Sequence, residues 1–125
     1  MKRVTGIGGI FFKARDPKAL AAWYRTHLGL NVDDWGGAVF QWADDSATGT
    51  TLWSPFKHDT EYFAPSTAPF MVNFRVADLH ALLAALRAEG CEVMDATEES
   101  EHGRFGWVLD PEGNKLELWE PPAGR

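Results

Sequence analysis

The chain has 125 residues, 45% hydrophobic and 24% charged, which suits one soluble domain able to bury about two-thirds of the surface of its unfolded chain. Its net charge of −6, with no basic cluster to reverse it, argues against a nucleic-acid partner. Cys91 is the single cysteine, so no internal disulfide forms, and no apolar run reaches the length of a signal peptide or membrane span; a cytoplasmic protein with no membrane partner is the expectation.

Residues 4–14 (VTGIGGIFFKA) read as a first strand, with Ile10, Phe12 and Ala14 on one face and Gly9, Phe11 and Lys13 on the other. Asp16-Pro17 then opens a helix: Asp16 caps it, and proline at the first helical position loses no bonded N–H. Leu20, Trp23, Tyr24 and Leu28 keep helical spacing, and Gly29 ends the run. Residues 38–43 and 49–53 read as two further strands. Residues 56–69 have no period and carry two prolines, so they read as a connecting loop.

The pattern then restarts. Residues 70–77 alternate, with Val72, Phe74 and Val76 on one face and Met71, Asn73 and Arg75 on the other. Asp78 caps a second helix whose apolar stripe is Leu79, Leu82, Leu83 and Leu86, and Gly90 follows it. Residues 91–94 and 105–109 read as strands, and the acidic run 98–101 as a solvated loop. Asp110-Pro111-Glu112-Gly113-Asn114 has the residues of a tight turn. The last strand, 115–120, sets Leu116 and Leu118 on one face and Lys115, Glu117 and Trp119 on the other.

Two copies of one unit lie in this order. The capping residues Asp16 and Asp78 are 62 apart (78 − 16), and Gly29 and Gly90 are 61 apart (90 − 29). Each half reads strand, helix, three strands, with one helix to cover one sheet face. The expected class is α+β: two βαβββ modules forming a curved mixed sheet around a central cavity, helices outside. The modules fall at about 4–55 and 70–121, joined by the 56–69 loop. Glu117 lies on the cavity side. Its plainest alternative is an exposed or ion-paired carboxylate, with Lys13, Arg75 or Lys115 as partner.

The doubled order, with ARDPKALAAWYRTHLGL (14–30), RVADLHALLAALRAEG (75–90) and GWVLDPEGNKLELWEP (106–121), resembles the vicinal oxygen chelate superfamily of glyoxalases, extradiol dioxygenases and bleomycin-resistance proteins. The resemblance implies a single glyoxalase-like domain over 1–125. It carries the family's four metal-ligand positions onto Gly9, Thr51, Met71 and Glu117. Only Glu117 is a competent ligand for the metals such sites hold, so no metal and no cofactor is expected.

Two functions follow from the resemblance. The preferred one is a bleomycin-resistance-like protein that binds a small aromatic or cationic molecule without the full metal site. Glu117 is then the acid of the pocket, with Phe11, Trp53, Met71, Asn73, Arg75, His102, Trp107 and Trp119 as ligand-binding residues; Trp42 and Phe105 are further candidates for its wall. The alternative is a glyoxalase-like lyase or isomerase in which Glu117 is a catalytic base or a remaining metal ligand. A homodimer is expected, because members of this family commonly pair.

Overall fold

The computed structural model describes Met1, Arg3 and residues 7–125. Helix α1 spans Pro17–Leu28 and α2 spans Leu79–Ala88. The strands are β1 (Val72–Arg75), β2 (Glu92–Val93), β3 (Glu98–Ser100), β4 (Gly103–Leu109) and β5 (Lys115–Glu120). They form one open, mixed sheet in the order β1-β5-β4-β2, with β3 also on β4. β1 runs parallel to β5, and the other pairs are antiparallel. The class is α+β, as expected. No helix among the described residues is long and apolar enough to cross a membrane.

The helices form where their end signals lie. Asp16 Oδ1 accepts from the Ala19 N–H at 3.1 Å, and Asp78 Oδ1 accepts from the Ala81 N–H at 3.1 Å, each satisfying a first-turn donor. Gly29 closes α1 with φ of 69°, a left-handed position where glycine pays no Cβ penalty. The strand alternation does the rest. Leu116 and Leu118 of β5 and Val108 of β4 face the helices and are fully buried against Leu20, Tyr24, Leu79, Leu83 and Leu86. Each such leucine is worth roughly 1.5–3 kcal/mol of burial. Gly106 lets α2 come close, since a Cβ there would meet Leu83 Cδ1 at 2.9 Å.

Polar side chains tie the layers together. Asp110 is buried and accepts from the Tyr24 hydroxyl (2.8 Å), the Glu112 and Asn114 backbone N–H groups (2.9 and 3.0 Å) and Asn114 Nδ2 (2.7 Å). The β4–β5 turn is thereby pinned to α1. Glu112 of the same turn accepts from the backbone N–H groups of Arg15 and Asp16 at 2.7 and 2.9 Å. Glu120 Oε1 accepts from the Leu79 N–H at 2.9 Å, filling a donor that α2 leaves open.

The acidic run and the strands expected in the N-terminal half depart from expectation. The acidic run 98–101 is not wholly a loop, because Glu98–Ser100 pairs with Gly103–Phe105 as an edge strand. Charged side chains suit an edge, and Arg104 reaches Glu99 at 3.3 Å and Glu120 at 3.5 Å. The strands expected in the N-terminal half are not paired. Residues 4–6 lie outside the described residues, 7–14 and 49–53 run without a ladder, and Trp42–Asp44 turns as a short 3₁₀ helix. Outside the sheet, only Val32 and Ala38 form a bridge among the described residues. Alternation marks a chain able to form a strand, but a ladder needs a neighbour, and these segments have none among the described residues. α1 is the part of that half which joins the core.

Replacing Leu118 by Ala is expected to lower the unfolding free energy by about 2–5 kcal/mol, read from the urea midpoint at unchanged m-value. A loss below about 1 kcal/mol would contradict the core described above.

Candidate functional site

The sheet face turned away from the helices carries the acid. Strand register sets Asn73 of β1 and Trp107 of β4 on either side of Glu117. Glu117 is 8% exposed, and its carboxylate accepts from three neutral donors. The Tyr62 hydroxyl donates to Oε2 at 2.6 Å, Trp107 Nε1 donates to Oε2 at 3.0 Å, and Asn73 Nδ2 donates to Oε1 at 2.8 Å. No basic side chain among the described residues makes an ion pair with it. Lys115, buried one pleat away, donates instead to the Tyr62 carbonyl at 2.6 Å. Its ammonium also lies over the Tyr62 ring (5.3 Å) and the Trp107 ring (5.4 Å).

These contacts shift the titration of the neighbours. Burial first, then the hydrogen bond to the Glu117 carboxylate, hold the Tyr62 phenol well above the usual tyrosine range. Burial lowers the Lys115 ammonium, while the nearby Glu117 charge works the other way. Tyr24 is raised by burial and by its bond to Asp110.

A second group of rings continues along the same face. Phe105 and Trp119 stack with centroids 6.2 Å apart and planes 13° apart. Arg75 lies over Trp119 at 5.4 Å, its Nε donating to Asp45 Oδ2 at 2.7 Å and its Nη2 to the Arg125 carbonyl at 2.8 Å. Asp45 is held below the usual carboxylate range by the Ser46 N–H and then by Arg75. Arg75 Nη1 is buried without an acceptor among the described residues.

Of the residues expected at the site, Asn73 and Trp107 touch Glu117, while Arg75 and Trp119 form the adjoining patch. Met71 is half-buried just before β1. Three are not gathered there. Phe11 is 95% and Trp53 77% exposed, because the segments that carry them have no ladder. The His102 side chain is exposed beside Glu101, and only its carbonyl takes part, accepting from Trp119 Nε1 at 2.8 Å. Arg75 pairs with Asp45, not with Glu117.

Tyr62 was hidden in the 56–69 loop, whose lack of period marks a connection. The available signal was aromatic content: Phe56, Tyr62 and Phe63 pack on one another at 5.2–6.4 Å, and Tyr62 meets Trp107 edge-on at 6.1 Å. Rings rarely crowd a loop unless it covers something.

The family's metal positions do not fit a divalent ion. Gly9 has no donor, Thr51 is exposed, Met71 offers a thioether, and both Glu117 oxygens already accept hydrogen bonds. Two open clefts, each about 340 Å³, lie away from Glu117: one beside Cys91 and Asp110, the other beside Arg104 and Pro122.

The chain has two tyrosines, and both phenols are raised above the ordinary 10.0. Absorbance titration of the native protein is therefore expected to show no tyrosinate at about pH 10. The sign for stability follows: above the unfolded value of 10.0 the unfolded chain loses these protons first, so stability falls as pH rises. Lys115, lowered on folding, adds stability as pH rises toward its unfolded value of 10.5 and nothing beyond it. Half-ionisation of a native tyrosine at about pH 10 would contradict the geometry around Tyr62 and Asp110.

No curated protein matches the chain. Among solved structures it is similar to TnmS3, an antibiotic binding protein from Streptomyces sp. CB03234, at 18% identity over 87% of this chain and 88% of that one, with TM-score 0.52. It is also similar to a protein of unknown function from Agrobacterium tumefaciens str. C58, at 21% identity over 93% and 98% of the two chains, with TM-score 0.55. At such identities the likeness speaks for the fold, which is of the vicinal-oxygen-chelate type. The family model for the glyoxalase-like domain matches residues 9–119, and the chain belongs to that family.

Proposed function

We propose that this protein binds a small planar molecule carrying a positive charge on the sheet face around Glu117, without a metal at the family's ligand positions. One observation carries the reading. Glu117 is a buried carboxylate held by three neutral donors, with no ion-pair partner among the described residues. A carboxylate so placed is a ready counter-charge for a ligand that brings its own cation. The rings of Tyr62, Trp107, Phe105 and Trp119 supply stacking surface on the same face. Arg75 Nη1, lacking an acceptor, suits an acceptor group on the ligand.

The similarity in fold to TnmS3, an antibiotic binding protein, supports this reading. The lyase or isomerase reading asks Glu117 for a free lone pair toward a substrate proton or an ion. Three donors already compete for those lone pairs.

Tryptophan fluorescence titration against a panel of cationic planar compounds is expected to give saturable quenching. Glu117→Gln is expected to weaken the best compound about tenfold, or roughly 1.4 kcal/mol. If no compound quenches, or if the Gln variant binds equally well, the reading fails.

The exposed side chains of Phe11, Trp42, Leu52 and Trp53 are apolar surface that a second copy would cover, and we propose a homodimer formed through them. Sedimentation equilibrium is expected to give twice the 13.9 kDa chain mass. A monomer at every loading concentration would overturn that part.

A further inference from the structure

The ends of the two helices bring together three ligand-type side chains that the inner face does not use. His27 lies in the last turn of α1, Glu89 directly follows α2, and Cys91 comes two residues later. His27 Nδ1 and Glu89 Oε1 are 2.8 Å apart. With Cys91 Sγ, the three donor atoms all lie within 4.8 Å of one another. From this cluster we infer that the protein holds one zinc-type divalent ion, bound by Cys91, His27 and Glu89, on the outside of the fold.

The duplicated architecture explains the meeting. His27 and Glu89 are 62 residues apart, the same offset that separates the capping residues Asp16 and Asp78 (78 − 16). They occupy corresponding places in the two copies. Each helix is followed by a left-handed glycine, Gly29 at φ 69° and Gly90 at φ 80°. After Gly90, the Cys91 N–H donates to the Leu86 carbonyl at 2.9 Å, which sets the cysteine against the helix end. The His27 imidazole is steadied by the Trp23 ring, with centroids 5.4 Å apart. Backbone geometry therefore delivers all three groups to one spot.

The chemistry points to zinc. A thiolate, an imidazole and a carboxylate form a mixed set that suits a borderline-soft ion taking three protein ligands and one open position. Tetrahedral zinc spaces its donor atoms roughly 3.3–3.6 Å apart, so the side chains need to move by no more than about an ångström. The negative ends of two helices, of 12 and 10 residues, also favour a cation there. His27 and Cys91 are half-buried, and Cys91 lines the open cleft beside Asp110 and Pro111, through which water or another donor reaches the fourth position. Binding releases the thiol proton to solvent, and the His27–Glu89 hydrogen bond gives way so that the neutral imidazole offers its Nδ1 lone pair with its proton on Nε2, while Glu89 offers a carboxylate oxygen.

Because Cys91 is the single cysteine, cobalt reports on it without ambiguity. Titrating the metal-free full-length protein with Co(II) is expected to give a thiolate-to-cobalt charge-transfer band that saturates at one ion per chain and disappears when Zn(II) is added. Cys91→Ala should abolish the band, and His27→Gln or Glu89→Gln should weaken binding at least tenfold. Glu117→Gln should leave it unchanged, separating this site from the inner face. No charge-transfer band in the wild-type protein would overturn the inference. So would a band whose affinity survives loss of both His27 and Glu89, because that would mark adventitious binding to one thiol.

Discussion

The period of two along Lys115–Glu120 constrains everything else in this molecule. β5 lies between β1 and β4, so its alternation is read on both sides at once. Leu116 and Leu118 face the helices, where with Val108 of β4 they pack against leucines of α1 and α2. Glu117 is then committed to the opposite face, and its parallel pairing with Asn73 and antiparallel pairing with Trp107 are fixed by the same register. A slip of one residue would put a carboxylate among leucines and two leucines under Tyr62. Desolvating an unpaired carboxylate costs several kcal/mol, so the register has a steep penalty on both sides.

The consequence is a buried acid that the fold satisfies without cancelling. An ion pair with Lys115 was available by position, since the two side chains are neighbours on one face. The ammonium turns instead to the Tyr62 carbonyl and two ring faces. Tyr62 thus links the pair, donating its hydroxyl to the carboxylate and offering its carbonyl to the lysine. The loop that carries it is a structural member of the site, and its aromatic cluster holds it over the sheet. Neutral donors orient Glu117 while leaving its charge for a ligand.

What could be read in the residues divides along physical lines. Both helices were legible because their signals are local: a capping aspartate, a leucine or aromatic stripe and a closing glycine, with a first-position proline in α1 as well. The faces of β1 and β5 were legible for the same reason, and with them the shared side of Asn73 and Glu117. Pairing was not, because it depends on residues far away in the chain. Segments 38–43 and 70–77 both read as strands, yet residues 72–75 pair along β5 while 38–43 has only the single Val32–Ala38 bridge among the described residues. Tyr62 contacts Glu117 across 55 residues, and nothing in a local window announces that. The edge strand 98–100 was obscured for the opposite reason, because its composition is that of a loop while its partner supplies the order.

The two copies of the repeat have diverged in how they use the same scaffold. Their helices remain equivalent: both are capped by aspartate, both end at a left-handed glycine, and both contribute leucines to one core. Their sheet contributions do not. The C-terminal copy builds the ladder and carries the acid, whereas the N-terminal copy leaves Phe11, Leu52 and Trp53 exposed. Such an imbalance follows from the arithmetic of burial, since one core saturated by leucines from both helices needs no second ladder to hold α1 in place. Side chains of the N-terminal copy are then free to meet something other than their own core. The acid on the inner face and the donors at the helix ends are what remains when a duplicated frame is filled with unequal chemistry.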